Sequence, residues 1–153
     1  MRTYKLTKNL WLHEYIPEKL YKQYCERKPH YLVGLIDKRL VIVDQFMRDR
    51  FGPVIINSWK DYNDVVDEDD RNWSGIRTPN SPYYSFTSQH SWGRASDKIF
   101  LKVIAEEVRT DIIENYDKLY KPLGLTTIED NVSWVHSDVR MLIKPGKLYI
   151  VYP

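Results

Sequence analysis

The chain has a single cysteine, Cys25, among its 153 residues. A lone thiol excludes a disulfide framework and a thiolate metal cluster. Long apolar runs are missing as well. None approaches the length that crosses a bilayer, so no membrane partner is expected. The opening residues Met1–Lys8 have no apolar core of the kind a signal peptide needs. Synthesis in a cytoplasm is therefore expected, with action elsewhere after release. An excess of one charge is also absent: 23 basic residues face 21 acidic ones, for a net +2. A balance this close gives no field for nucleic acid, and none is expected as a partner. There is no internal repeat and no low-complexity stretch. The length suits one domain over 1–153, with residues 1–30 wrapping a core built from 31–153, and a monomer is expected.

What remains is a composition that folds. Hydrophobic residues make up 42% of the chain and charged residues 29%. Aromatics are frequent at 14%, with 12 Tyr and 5 Trp. Such rings pack a core or line a peptide or sugar cleft.

Pro17 opens a short helix to about Arg27, and Lys28-Pro29 ends it. Ile36, Leu40, Val43, Met47 and Phe51 recur at helical spacing. They predict a helix over Asp37–Phe51, capped by Asp37 and stopped by Gly52-Pro53. Val54–Ile56 reads as a short buried strand. Residues 60–87 read as a long loop. Its acidic cluster (Asp64, Asp67, Glu68, Asp69, Asp70) lacks the ordered spacing of a calcium loop. Ala95–Val103 reads as a strand and Ile104–Tyr120 as a second helix. Strands over Leu125–Glu129, Ser133–Arg140 and Lys147–Tyr152 follow, with Pro145-Gly146 turning the last pair. The expected fold is α+β, a small antiparallel sheet with helices packed on it.

The run Ser88-Gln-His-Ser-Trp-Gly-Arg-Ala-Ser-Asp97 holds two metal-type ligands, His90 and Asp97, around Gly93. Strand alternation in Ser133–Val139 places Trp134, His136 and Asp138 on one face. Two imidazoles, one carboxylate and an open fourth position are what a hydrolytic zinc ion needs. Ala95 shares the face of Asp97 and is small enough to leave room. His13 and His30 read as ordinary core or surface residues.

This run resembles the Ser-x-His-x-x-Gly-x-Ala-x-Asp motif of the M15-type zinc peptidases. That family includes D-alanyl-D-alanine carboxypeptidases, dipeptidases and phage endolysins, and shares a fold with the Hedgehog signalling domain. Five specified residues at these spacings arise by chance in on the order of 1 in 10,000 chains of this size. The resemblance covers roughly residues 31–142. It implies a Hedgehog/DD-peptidase-like fold and a zinc ion on His90, Asp97 and His136. It also implies hydrolysis of peptide bonds in peptidoglycan stem peptides, by a D-Ala-type carboxypeptidase or an endopeptidase. A lysin acting on the cell wall after release, or associated with a virion, fits the missing signal core.

The chain departs from the family in two places. Many members place a catalytic glutamate three residues before the last histidine, where this chain has Ser133. The base then comes from Glu129, Asp130 or Asp138, with Glu129 slightly favoured and Asp138 able instead to orient a ligand histidine. The family's Ser-Gly-Tyr-Arg is absent after the buried strand, but Ser74-Gly75-Ile76-Arg77 stands further on. Arg77 is a candidate substrate contact, as are Ser88 and Trp134, and a solvated loop arginine is its plain alternative. Trp92, Tyr83 and Tyr84 are candidate cleft walls. The rival expectation is a zinc-binding structural or cell-wall-binding module without catalysis.

Overall fold

The computed structural model describes residues 1–60 and 71–153. The acidic cluster Asp64, Asp67, Glu68, Asp69 and Asp70 lies outside the described residues. Within them the architecture is α+β, with four α-helices and a five-stranded sheet.

The first helix, α1 (Glu18–Tyr24), follows Pro17 at its N-cap. Lys28-Pro29 was expected only to end it. Instead Pro29 opens another helix, α2 (Pro29–Gly34), because a proline ring suits a first turn, where its missing N–H has no partner to lose. The helix α3 (Lys38–Phe51) starts where the Asp37 carboxylate accepts the Arg39 N–H at 3.0 Å. Its buried stripe is Leu40, Val43 and Met47, as the spacing predicts.

The strands are β1 (Val54–Ile55), β2 (Ala95–Phe100), β3 (Thr127–Glu129), β4 (Val135–Asp138) and β5 (Tyr149–Val151). Between β2 and β3 lies α4 (Ala105–Asn115), continued by a π-helical turn over Tyr116–Tyr120. The strand order is β1-β2-β4-β3-β5. The sheet is mixed, which corrects the antiparallel expectation: β5 runs parallel to β3. The chain does reverse after β4. Both edges of β4 are already taken by β2 and β3, so the returning strand settles on the far edge of β3.

One face of the sheet meets the helices. Val135 and Ile128 join Leu40, Val43 and Met47 of α3 and Val108 and Ile112 of α4 in the main core. Full burial of each such aliphatic side chain contributes about 1.5–3 kcal/mol. The same face also buries charge, which the sequence reading did not anticipate. Lys98 Nζ lies 2.9 Å from Asp44 Oδ1, and both side chains are wholly buried. Asp44 Oδ2 accepts from Ser96 Oγ at 2.8 Å and from the Tyr15 hydroxyl at 3.0 Å. Lys98 also donates to Ser96 Oγ at 2.8 Å and Ser137 Oγ at 2.6 Å. This network crosses from α3 to β2 and β4 directly behind the opposite, open face.

The N-terminal residues do more than wrap the outside. Leu12, Ile16, Tyr21, Cys25 and Leu32 form a second core cluster with Ile76. Tyr15 O accepts the Ile76 N–H at 2.8 Å. The backbones approach so closely that a Cβ on Gly75 would stand 2.3 Å from Tyr15 O.

Candidate metal centre

The open face of the sheet carries the motif residues because of register. Asp97 on β2 pairs with His136 on β4, and Ala95 pairs with Asp138. Thr127 on β3 pairs with Asp138, and Ile128 with Ser137. Continuing that antiparallel register by one residue sets Glu129 beside His136. Asp97, His136 and Glu129 therefore form one row across three adjacent strands, on the face away from the helices.

His90 reaches this row from a 3-10 turn (Gln89–Trp92) that leads into β2. The turn closes at Gly93 with φ 63°, in the left-handed region. A Cβ there would lie 1.8 Å from Leu35 O, so the expected need for glycine is both conformational and steric.

The three ligand atoms converge. His90 Nε2 is 3.4 Å from His136 Nδ1 and 3.3 Å from Asp97 Oδ2. His136 Nδ1 is 2.7 Å from Asp97 Oδ1. The whole set lies within 4.8 Å. Bonds of 2.0–2.1 Å in a tetrahedral zinc site place neighbouring ligand atoms about 3.3 Å apart, so two of these separations already match.

The outer contacts aim the ligands. His90 Nδ1 lies 2.7 Å from Gly75 O, which can only accept, so this nitrogen is the protonated one and Nε2 keeps its lone pair. His136 Nε2 faces Asp138 Oδ2 at 3.2 Å, which turns Nδ1 toward the centre. Asp138 is wholly buried and is gripped by Arg140, whose Nη2 donates to Oδ2 at 2.5 Å and Nε to Oδ1 at 2.9 Å. Arg77 Nη2 donates to Asp97 Oδ2 at 2.7 Å, and its Nε donates to Trp73 O at 3.0 Å. These donor sets fit a divalent cation: two imidazoles with fixed tautomers and one oriented carboxylate.

Charge follows the same geometry. Burial lowers the pKa of His90, which favours the neutral imidazole that a cation would require. Burial also opposes charge on His136, but the hydrogen bonds and charges of Asp138 and Asp97 outweigh it and raise its pKa to about 9. Burial alone would raise Asp97; the hydrogen bond and the charge of His136 beside it hold it well below the usual carboxylate range. Burial would likewise raise Asp138, and its bonds to His136 and Arg140 lower it. His136 thus lies between two carboxylates, Asp97 and Asp138, which favour positive charge at its position.

Comparison with protein-family models, with curated proteins and with solved structures finds no significant match.

A cleft of 750 Å³ opens over this centre. His90, Asp97, His136, Glu129, Arg77, Ser88, Trp134 and Tyr83 all line it, along with Arg140. Trp92 and Tyr84, expected as cleft walls, are absent from its lining and stand exposed. Asp130 turns away to Arg109, at 3.3 Å. Ser133 is exposed and precedes β4. Trp134 Nε1 and Gln89 Oε1 are buried and take no hydrogen bond among the described residues. One donor and one acceptor are thus left beside the cleft.

Arg140 was missed from sequence. It lies two residues beyond Asp138, and strand alternation carried one step further would have placed it on the same face. The tether from Gly75 O left no side-chain signal. His13 is buried against Tyr21 and Trp59, at 6.1 and 5.9 Å between ring centroids, and His30 is exposed, as expected of both.

Proposed function

We propose that the chain is a zinc-dependent metallopeptidase of the M15 type, with a Hedgehog/DD-peptidase-like fold, that hydrolyses peptide bonds in peptidoglycan stem peptides. The observation that supports this reading best is the row Asp97, His136, Glu129 beneath His90, at the floor of one cleft. His90, Asp97 and His136 would hold the ion. A bound zinc ion supplies Lewis acidity, which polarises a carbonyl and acidifies water at neutral pH.

The chain's own residues perform the rest. Glu129 is the general base: it takes a proton from the attacking water and passes it to the leaving amine nitrogen. Its support is position, since it neighbours His136 across β3 and β4 and lines the cleft. Asp138 is poorly placed for that role because it is sealed from solvent and engaged by Arg140. It orients His136 instead. Asp130 is drawn off by Arg109. Glu129 thereby replaces the glutamate that Ser133 lacks. Arg77 steadies Asp97 and is close enough to the cleft to meet a substrate oxygen. The Trp134 indole N–H and the Gln89 carbonyl match the acceptor and the donor of a peptide group. Action on the cell wall after release accompanies this reading.

The test uses zinc-loaded wild type and Glu129→Gln on purified peptidoglycan, with release of free amines as the readout. Glu129→Gln is expected to retain zinc and lose activity by about 100-fold or more. An inert wild type would sink the peptidase reading and leave a zinc-binding module.

A further inference from the structure

Four large aromatic side chains stand in the open next to the cleft. Tyr83 is 66% exposed, Phe86 68%, Trp92 49% and Tyr84 39%. We propose that this rim is a binding site for neutral pyranose sugars, which stack their C–H faces on the rings. The choice of a β-1,4-linked N-acetylhexosamine chain as the sugar rests on the peptidoglycan reading above; the stacking site itself does not.

Two of the rings hold each other in place, and the backbone under the other two is fixed. The Trp92 indole N–H donates to Phe86 O at 2.9 Å, and the two rings meet edge to face at 5.3 Å. Ser91 Oγ donates to Ser85 O at 2.7 Å. The buried Ser81 accepts the Tyr84 N–H on its carbonyl at 3.2 Å and the Tyr83 N–H on its hydroxyl at 3.1 Å. The Trp92 ring, tied to the backbone and packed on Phe86, loses little freedom on binding, which is the property of a prepared site. Rings left out of a core without such a role are an exposed apolar surface with no compensation.

The rim is continuous with the cleft. Tyr83, Thr87, Ser88 and Gln89 line the cleft from the same segment, and the Arg77 guanidinium lies 5.8 Å from the centre of the Tyr83 ring. The segment that carries the rings thus borders the cleft through Tyr83.

Charge selects the ligand class. From Thr78 to Gly93 the chain has no Asp, Glu, Lys or Arg, although charged residues make up 29% of the whole. No side chain of this segment carries a formal charge to pair with an anion or an acidic peptide, and Arg77 at its border is already engaged by Asp97. Between the rings stand hydroxyls, with Ser85 Oγ and Thr87 Oγ1 3.0 Å apart. Rings interleaved with hydroxyls match a sugar, which has apolar C–H faces and hydroxyl edges. They match an apolar protein surface poorly, because burial there would strip water from those hydroxyls without replacing it.

The experiment titrates the full chain, kept metal-free with a chelator, with the tetramer of β-1,4-linked N-acetylglucosamine. Tryptophan fluorescence and calorimetry follow binding in wild type, Phe86→Ala and Trp92→Ala. Saturable binding is expected in wild type, weakened about tenfold by each variant. Trp92→Ala also breaks the bond to Phe86 O, so Phe86→Ala, which removes no side-chain hydrogen bond, is the decisive variant; its melting temperature should match wild type. No saturable binding, or equal binding by Phe86→Ala, overturns the proposal. So does self-association of wild type that both variants abolish, which would make the rim a contact between copies. The titration needs no metal, so sugar binding by a protein whose zinc-loaded form is inert on peptidoglycan would uphold the rim and sink the peptidase. Hydrolysis without sugar binding would do the reverse.

Discussion

Asp97 Oδ1 and His136 Nδ1 lie 2.7 Å apart, and the two residues are register partners on adjacent antiparallel strands. Their convergence is a property of the sheet and not of a loop. His90 is added to that pair by a turn whose own position depends on Gly93 and on the Gly75 carbonyl.

His90→Ala is expected to abolish zinc binding with the fold retained, since His90 belongs to neither core cluster. Elemental analysis should fall from about one zinc per chain to near zero, while the circular dichroism spectrum stays that of wild type. Equal zinc content in variant and wild type would remove His90 from the ligand set.

Asp138→Asn tests an orienting role. The variant should still bind zinc, but about 10–100-fold more weakly, because an amide facing His136 Nε2 no longer selects one tautomer and orientation. Competition with a chromophoric chelator reads this. An unchanged affinity would show that His136 is aimed by packing alone.

Lys98→Met leaves the Asp44 carboxylate buried with Tyr15 and Ser96 as its hydrogen-bond partners among the described residues. A loss of about 3–5 kcal/mol in urea unfolding is expected. Lys98→Met combined with Asp44→Leu should recover part of that loss, since the uncompensated charge is gone. Additive losses in the double variant would contradict a coupled ion pair.

His13 and Glu14 are adjacent and titrate with opposite effect. Burial, helped by Lys60, lowers the His13 pKa from 6.5 to about 4. On acidification the unfolded chain takes up this proton first, so His13 costs stability as pH falls from about 6.5 to about 4, on the order of 3 kcal/mol. Burial raises Glu14 from 4.5 to about 7. The folded chain takes up that proton first, so Glu14 adds stability as pH falls from about 7 to 4.5. His13→Asn should therefore gain stability relative to wild type on acidification, and Glu14→Gln should lose it. Melting temperatures between pH 4 and 7.5 decide this, and parallel curves for all three proteins would refute both assignments.

Local pattern was enough for much of the chain. The stripe of α3 and its Asp37 cap, the alternation in β4 and the need for glycine at position 93 are short-range properties, set by helical or strand period and by backbone sterics. The candidate ligands were also legible: His90 and Asp97 share one short run, and the alternation of β4 sets His136 on the open face. What local pattern could not supply was pairing. The side of the sheet on which β5 lies depends on which edges are already filled. The sequence favoured Glu129 only slightly as a candidate base; what sets it apart from Asp130 and Asp138 is a register between β3 and β4, an ion pair to Arg109 and the grip of Arg140. The buried Lys98–Asp44 pair joins residues 54 positions apart, and the Gly75 carbonyl that aims His90 belongs to the backbone. These are contacts between distant segments, whose energies exist only after the chain has closed on itself, and so they were decided by tertiary structure alone.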